Sequence, residues 1–186
     1  MQNKIKLRDR IIGVASDLFH RQGYNQTGVN QIIAEADIAY ASLYNNFSSK
    51  NDLLIAYLEK QSVDFFDRFD SFSKGISKPK EKLFKLIDYR VELQKPDFLG
   101  CPFTKIIAEI GTADSKVHRI VEQHKDKQRK HLYELLMQIE CTDLLDKRVL
   151  SDSLFLMIEG ATVNSTVSRN FAPIENVRNF LMKIII

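Results

Sequence analysis

The segment from Thr27 to Lys50, TGVNQIIAEADIAYASLYNNFSSK, constrains the fold of this chain more than any other part. Its apolar residues recur at helical spacing in two short sets that meet near Asp37, which predicts two short helices joined by a tight turn. Thr27 suits the N-cap of the first helix because its hydroxyl can accept a hydrogen bond from a free amide. The two sets are Val29, Ile32, Ile33 and Ala36, and then Ile38, Leu43 and Phe47.

Between the apolar positions of the second short helix lie side chains that must face away from the core. They are Tyr40, Ala41, Tyr44, Asn45 and Asn46. A helical face of tyrosines and amides contributes little to stability, but it can bind phosphates and base edges. The spacing therefore predicts a helix-turn-helix with these five as DNA-binding candidates. An ordinary helical hairpin with a polar outer face fits the same spacing.

The next helix is predicted to begin directly behind this face. Ser49 and Asp52 have the spacing of a capping box, so the helix should start at Lys50. Its first free amides, together with Lys50, form an arrangement that can bind an anion. This combination favours the helix-turn-helix over the plain hairpin.

From about Ile11 to Leu54 the chain resembles the DNA-binding domain of the TetR family of bacterial transcriptional repressors. The residues that carry the resemblance are Ala15, Leu18, Phe19, Gly23, Thr27, Ile32, Ala36, Ser42, Leu43, Tyr44, Phe47, Lys50 and Leu53. The resemblance implies that the third helix enters the major groove, with base or groove contacts from Tyr40, Ala41 and Asn45. The phosphate contacts that it implies fall to Thr27, Tyr44 and Lys50. Asp37 and Ala39 depart from the family pattern, which often has Gly and a Ser or Thr cap there.

Composition is that of a globular and mainly helical chain. Of 186 residues, 44% are hydrophobic and 27% are charged, with 7 Gly, 4 Pro and few runs that alternate with period two. No unbroken apolar run reaches about 18 residues, so we expect no membrane span. The basic N-terminus lacks the apolar region of a secretory signal. These features predict a cytoplasmic, all-α protein.

Positive charge is concentrated at the front of the chain. The net charge is +3, and residues 1–26 contain five basic residues against Asp9 and Asp17. The basic residues are Lys4, Lys6, Arg8, Arg10 and Arg21. This front part could lie along DNA phosphates, or it could be a solvated terminus.

Helical periodicity divides the chain into about nine helices and two domains. The first helix should run from about Lys6 to Gln22 and end at Gly23, and the fourth from Lys50 to about Phe72. Later helices are expected at about 80–94, 102–111, 115–139 and 144–169, and after Pro173. We assign residues 1–50 to a helix-turn-helix DNA-binding domain and 51–186 to a helical regulatory and dimerisation domain.

The last long helices are candidates for a dimer interface. The narrow stripe of Leu154, Ile158, Ala161 and Ser165, beside Gly160, permits close helix approach. The same stripe could instead pack within its own chain. A two-fold dimer reads two half-sites about 34–36 Å apart, whereas a single reading helix contacts too few bases to be specific. The resemblance also implies a homodimer formed by the last two long helices.

The C-terminal part carries candidate ligand residues. Phe65, Phe69, Phe103 and Phe155 could line an apolar pocket, although an ordinary core position explains each of them better. The resemblance, rather than the aromatic content, implies a pocket for a small-molecule inducer.

Cys101 is a candidate sensor residue. Pro102 suits the first position of a helix, so Cys101 lies at its positive end, and Lys105 follows one turn later. Both features favour the thiolate, the reactive form. This region is similar to a TetR branch that includes the electrophile-responsive repressor of N-ethylmaleimide reductase, as is Ser168 to Val177. An inert buried cysteine is the alternative, and Cys141 is expected to be incidental.

Other chemistry is not indicated. His20, His118, His124 and His131 have no metal-ligand spacing and are expected to be solvated. No nucleophile elbow, phosphate loop or zinc protease motif occurs, so we predict neither an enzyme nor a cofactor. The predicted function is a repressor released by an inducer that changes how the fourth helix is held. A thiol-based sensor acting through Cys101, and a helical adaptor that binds no DNA, remain alternatives.

Overall fold

A computed structural model describes residues 2–112, 114–140 and 146–185, with side chains from residue 6 onward. Nine α-helices occupy these ranges, and the all-α fold predicted from the sequence is confirmed. They are α1 Gln2–Arg21, α2 Val29–Glu35, α3 Tyr40–Tyr44, α4 Lys50–Phe72, α5 Pro79–Gln94, α6 Pro102–Ile110, α7 Ser115–Met137, α8 Lys147–Ser168 and α9 Ala172–Ile184. None of the helices in these ranges is long and apolar enough to cross a membrane.

Local signals set most of the helix ends. Pro79 and Pro102 stand at the first positions of α5 and α6, where a missing amide hydrogen costs nothing. Ser49 Oγ accepts a hydrogen bond from the Asp52 amide at 3.0 Å, so the predicted cap of α4 is confirmed. The turns after α1 and α2 use Gly23 at φ +96° and Asp37 at φ +48°, both in the left-handed region.

The chain forms two compact units. The first comprises Met1–Asp64 and Pro102–Glu122. Its buried side chains include Phe19 of α1, Ile32 of α2, Leu43 of α3 and Leu53 of α4, each at most 3% exposed, and others from α6 and the start of α7. The predicted boundary at residue 50 differs from this grouping, which keeps residues 51–64 with the helix-turn-helix.

Helix α6 also belongs to the first unit, where it packs on α1. Lys105 Nζ donates hydrogen bonds to the carbonyl oxygens of His20, at 2.8 Å, and Arg21, at 3.3 Å. These carbonyls lie in the last turn of α1, which lacks helical partners for them. Glu109 Oε2 accepts a hydrogen bond from the Asn25 amide at 2.8 Å. Two side chains of α6 therefore hold the end of α1 and the following turn.

The second unit comprises Phe65–Cys101 and Gln123–Ile186. Helices α5, α8 and α9 pack together around one apolar core. The stripe considered for dimerisation lies in that core, with Leu154, Ile158, Ala161 and Ser165 at 0%, 4%, 8% and 0% exposure. Of the two alternatives that the sequence left open for this stripe, packing within its own chain is the one that the structure shows.

Candidate functional site

Helix α3 carries an exposed aromatic and polar face. Tyr40 is 60% exposed and Tyr44 is 40% exposed, while Ala41 and Asn45 are exposed beside them. Leu43, on the other side of the helix, is buried and anchors α3. The tyrosine rings lie one turn apart with their centroids separated by 4.8 Å. A hydrogen bond with Tyr40 raises the pKa of Tyr44, so this phenol stays neutral at physiological pH.

Asn46 does not share this exposure. Its Nδ2 donates a hydrogen bond to the Ser42 carbonyl at 2.8 Å, and its Oδ1 is buried without a hydrogen-bond partner among the described residues. The prediction that Asn46 faces away from the core is therefore wrong for its amide group. Its position one turn after Ser42 brings the short side chain back onto the helix backbone.

Thr27 is buried rather than available to phosphate. It is fully buried, and its hydroxyl donates to the Gly23 carbonyl at 2.6 Å and accepts from Gln22 Nε2 at 3.2 Å. Helix α2 begins at Val29. Its N-cap residue is Gly28, which has no side chain to form a capping hydrogen bond. Thr27 is thus neither the predicted N-cap nor placed for the implied phosphate contact. It closes the turn between α1 and α2.

Lys50 is engaged by the same turn. Its Nζ donates a hydrogen bond to the Tyr24 carbonyl at 2.6 Å and lies 4.1 Å from the centroid of the Tyr24 ring. Burial lowers the pKa of Lys50, and the negative charge of Glu109 opposes this shift. The ammonium group held in this way stabilises the turn. The phosphate contact that the resemblance implies for Lys50 stays a prediction.

Two arginines of α1 lie at the ends of the exposed face. Arg10 Nη2 donates a hydrogen bond to the Asp37 carbonyl, at 3.3 Å, in the turn before α3. The Arg8 guanidinium lies 4.9 Å from the ring centroid of Phe47, which follows α3. Both arginines are exposed. The exposed face of α3 is therefore flanked by positive charge, as the basic front of the sequence suggested.

A separate cavity lies within the second unit. The space open to the centre of a water-sized molecule is about 10 Å³, which is room for about one water molecule. Its walls are formed by Phe65, Phe66, Leu86, Arg90, Gln128, His131, Leu132, Phe155 and Ile158. Of the four predicted ligand phenylalanines, Phe65 and Phe155 line it. Phe69 lies in the core of this unit, and Phe103 is buried in the first unit.

Three polar atoms in the cavity walls have unsatisfied hydrogen bonds. Arg90 Nε, Gln128 Oε1 and His131 Nε2 are buried and have no hydrogen-bond partner among the described residues. Arg90 and Gln128 are each only 5% exposed. Buried polar groups are nearly always paired, so three such atoms in one cavity require an explanation.

Two histidines belong to this buried region, contrary to the prediction that they are solvated. His124 is 2% exposed, and burial, reinforced by the charges of Lys125, Arg90 and Lys127, lowers its pKa to about 3. Burial also lowers the pKa of His131. Gln128 Nε2 lies 3.0 Å from His124 Nε2, so the neutral imidazole accepts this hydrogen bond.

Cys101 lies beside a different lysine from the one predicted. Lys125 Nζ donates to Cys101 Sγ at 3.4 Å and forms a short ion pair with Glu159 Oε2. Arg90 Nη2 lies 3.8 Å from the other oxygen of the same carboxylate. Lys105, the predicted neighbour of the thiol, holds the end of α1 instead. Cys141 lies outside the described residues.

The sequence held a signal for these missed residues. His124, Gln128 and His131 follow Val117 and Val121 at helical spacing along the buried stripe of α7. Arg90 likewise occupies a core position of α5, three residues after Ile87. Polar residues at positions where periodicity demands apolar ones mark a buried polar site. No group of three or more metal-ligating side chains occurs among the residues that the structure describes.

Comparisons with known proteins agree with this arrangement. The family described as bacterial regulatory proteins, tetR family, matches residues 11–57. The HTH-type transcriptional regulator LmrA of Bacillus subtilis is 25% identical over 178 residues, which cover 91% of this chain and 92% of LmrA. The reduced form of Escherichia coli NemR has a TM-score of 0.86 at 18% identity and 97% coverage of both chains. A TetR-family regulator from Streptomyces coelicolor has a TM-score of 0.78 at 25% identity, covering 93% of this chain and 94% of its own.

Proposed function

This chain is a TetR-family transcriptional regulator, and we propose that it represses transcription by binding operator DNA as a homodimer until a small-molecule inducer releases it. The family consists of DNA-binding regulators rather than enzymes. The observation that carries the proposal is the exposed face of α3. The exposed tyrosines and the amide contribute little to the stability of the fold, since Leu43 is the buried residue of α3. They are available to bind a partner.

The chemistry of this face suits duplex DNA. Tyr44 and Asn45 offer hydrogen bonds to phosphates and base edges, and Ala41 leaves room for a close approach to the groove floor. Arg8 and Arg10 add positive charge where the phosphates on either side of the groove would lie. Each phosphate that is neutralised steepens the salt dependence of binding by about 0.9 in a log–log plot.

The proposed homodimer has an interface on α8. Its solvent-facing side carries a stripe with alternating spacings of four and three residues, as in a helical seam. The stripe consists of Val149, Ser153, Leu156, Gly160, Val163 and Val167, all of them exposed. Leu156 is 67% exposed and Val167 is 80% exposed, and apolar residues in such a row favour burial against a second copy. Gly160 in the middle of the stripe permits close approach of the two helices.

The proposed release of DNA acts through α4. Phe65 and Phe66 of this helix line the cavity, while its residues 50–64 belong to the first unit, which carries α3. A ligand that displaces these rings would therefore act on a helix that begins directly after α3. To convert a mostly bound population into a mostly free one, the ligand must prefer the released form by up to about 5.5 kcal/mol.

The test of DNA binding starts from duplexes selected from random sequence. Tyr44→Ala should weaken binding to the selected duplex at least about 30-fold by fluorescence anisotropy. One lost contact costs about 1–3 kcal/mol, and a homodimer loses it twice. Tyr133→Ala, which removes a tyrosine of the second unit, is the matched control and should bind as the wild type does. A wild-type chain that selects no duplex at low salt would instead support the helical adaptor.

The test of the interface measures the oligomeric state. Leu156→Asp places a charge in each half of the proposed seam, so it should raise the dimer dissociation constant more than about 100-fold in analytical ultracentrifugation. Met137→Asp, at a similarly exposed apolar position outside the seam, should leave it unchanged. Equal dissociation constants for the two variants would move the interface to another surface.

The contact between Cys101 and Lys125 favours a second candidate trigger. A cationic neighbour and partial exposure are features that reactive cysteines share. Addition of the thiol across the double bond of N-ethylmaleimide would place a bulky group beside the ion pair of Lys125 and Glu159. If this is the trigger, N-ethylmaleimide should release DNA from the wild type but not from Cys101→Ser. A variant that still releases DNA excludes the thiol.

A further inference from the structure

The side chains on the exposed face of α3 differ in which of their hydrogen-bonding groups are free. The hydroxyls of Tyr40 and Tyr44 are hydrogen-bonded to each other, so one of their two hydrogens is already used. Asn46 donates its amide to the Ser42 carbonyl. The Asn45 side chain is exposed and makes no hydrogen bond within the described part of the chain. The Asn45 amide therefore keeps both its donor and its acceptor for a partner.

An amide with both groups free matches one base edge of the major groove. Adenine presents an acceptor, N7, beside a donor, the N6 amino group, and a single asparagine amide can bind both at once. Guanine presents two acceptors in the groove, and each pyrimidine presents one polar group. Those three bases leave one group of the amide without a partner. A free asparagine amide that faces the groove therefore selects adenine.

Ala41 adds an apolar contact one turn before Asn45. The Asn45 backbone amide donates to the Ala41 carbonyl at 2.9 Å, and both side chains are exposed. Four residues of α-helix span about 6 Å, and base pairs are stacked about 3.4 Å apart. In a helix that lies along the groove, the two side chains are therefore about two base pairs apart. The apolar group that a base edge offers there to the Ala41 methyl group is the C5-methyl of thymine.

The surroundings of α3 hold this face toward the floor of the groove. Leu43 is 3% exposed and anchors the helix from behind. Arg10 donates a hydrogen bond to the Asp37 carbonyl before α3, and the Arg8 guanidinium lies over the ring of Phe47 after it. Positive charge thus lies at both ends of the face. Phosphates bound at these ends fix the register of the helix, so that the side chains between them meet the bases.

We propose that Asn45 recognises an adenine in each half-site of the operator, and that Ala41 contacts the methyl group of a thymine about two base pairs away. The Asn45 carbonyl oxygen accepts from adenine N6, and its amino group donates to adenine N7. The Tyr44 hydroxyl remains available to a phosphate. Binding makes and breaks no covalent bond. The inference rests on the proposed function as a DNA-binding homodimer, and it adds which bases the operator must contain.

Selection of duplexes from random sequence, carried out with the full chain and its variants, tests the role of Asn45. The wild type should select half-sites in which one position is fixed as adenine. Asn45→Ala should accept every base at that position and keep the other preferences. Asn45→Asp, which has the same shape but no donor, should lose the adenine as well. Asn46→Ala is the matched variant of the neighbouring amide, and it should keep the adenine because that amide is bonded to the helix.

Substitution of single groups in the selected duplex tests the contacts themselves. 7-Deazaadenine has a carbon in place of N7, so in both half-sites together it should weaken wild-type binding at least about 10-fold in fluorescence anisotropy. Uracil in place of the thymine removes only the methyl group and should weaken binding about 3-fold for each half-site. Asn45→Ala should not respond to 7-deazaadenine, and Ala41→Gly should not respond to uracil.

The outcomes separate this inference from the proposed function. If the wild type selects a duplex but is insensitive to 7-deazaadenine, or if Asn45→Ala keeps the adenine, the inference fails and the DNA-binding function stands. If Ala41→Gly responds to uracil as the wild type does, the thymine contact fails. A wild type that selects no duplex at low salt overturns the proposed function, and this inference with it. The comparison of adenine with 7-deazaadenine in the wild type needs no variant, so it decides the matter even if a variant does not fold.

Discussion

In the first unit, Thr27 and Lys50 have hydrogen-bond partners in the turn between α1 and α2, and one buried side-chain oxygen, Asn46 Oδ1, lacks a partner among the described residues. In the second unit, three polar atoms of the residues around the cavity lack one. Thr27 and Lys50 each make hydrogen bonds of 2.6 Å to backbone carbonyls in the turn between α1 and α2. Arg90 and Gln128 each keep a buried polar atom without a partner among the described residues. The two regions therefore put their binding groups under opposite constraints.

The difference follows from the proposed partners. A duplex is large and rigid, so the helix that meets it needs a support that holds one conformation, and its own contacts can remain on the surface. A small ligand that must change the protein has to be buried, and the groups that bind it are unsatisfied until it arrives. The unpaired buried groups therefore lower the stability of the second unit, whereas the paired groups at the turn stabilise the first.

The largest expected effect tests the support in the first unit. Thr27→Val removes the hydroxyl and leaves the buried Gly23 carbonyl without this donor, so the free energy of unfolding should fall by about 2–3 kcal/mol. Tyr40→Ala, on the exposed face, should change it by less than about 0.5 kcal/mol. Urea unfolding measures both. If the two variants lose similar stability, the separation between supporting and binding residues does not exist.

The next prediction concerns the cost of the buried histidine in the second unit. The pKa of His124 is about 3 in the folded chain and near 6.5 in the unfolded chain. Between these values only the unfolded state binds the proton, so stability falls as the pH falls. From pH 7.5 to pH 5 the loss from this residue is about 2 kcal/mol. Well above pH 6.5, where neither state binds the proton, it contributes no slope.

His124→Gln should remove this part of the pH dependence, since glutamine can still bond to Gln128 and carries no titrating group. Urea unfolding at pH 7.5 and pH 5 measures the effect. Asn164→Gln, at an exposed position that carries no titrating group, is the control and should keep the wild-type slope. His131 shifts in the same direction, so some slope should remain in both variants. An unchanged slope in His124→Gln would mean that the histidine is accessible to protons.

The third prediction tests whether the cavity reduces stability. Arg90→Met removes a buried cation while the ion pair between Lys125 and Glu159 remains. Methionine has no buried Nε to leave unpaired, and Lys125 still neutralises Glu159, so the free energy of unfolding should rise by about 1 kcal/mol, or the melting temperature by about 2–4 °C. A loss of stability greater than about 1 kcal/mol would show that Arg90 holds the fold.

Local signals made most of the fold predictable. Gly23, Ser49, Pro79 and Pro102 act on their own turns, so the ends that they set were found without tertiary information. The family resemblance located the reading helix for the same reason, because its pattern is short and contiguous. The support of the turn between α1 and α2 was not predictable, since the partner of Lys50 is Tyr24, far away in sequence.

Faces of helices were the harder problem. Both long sides of α8 carry apolar residues, and periodicity does not say which side meets the chain's own core. The more compact stripe that contains Leu154 and Ile158 is buried, while Leu156 and Val163 are exposed. For the cavity the same periodicity did indicate buried polar side chains, because Arg90 and Gln128 occupy positions that face the core. That these two residues lie around one cavity could not be predicted, because the cavity also needs residues of α4, α7 and α8 that only the tertiary fold brings together.

The smallest expected effect tests whether the difference between the units is confined to the cavity. Ser49 caps α4 in the first unit, and Asp146 caps α8 in the second by accepting from the amide of Arg148 at 2.8 Å. Replacing either by Ala should lower the free energy of unfolding by about 1 kcal/mol, because each removes one hydrogen bond from a helix end. Thermal and urea unfolding of the pair give the comparison. Equal losses would mean that helix caps contribute the same stability in both units. The unsatisfied groups would then be specific to the cavity. A loss for Asp146→Ala that is less than half of the loss for Ser49→Ala would mean that the whole second unit is loosely held, and the cavity would then lose its claim to a special role.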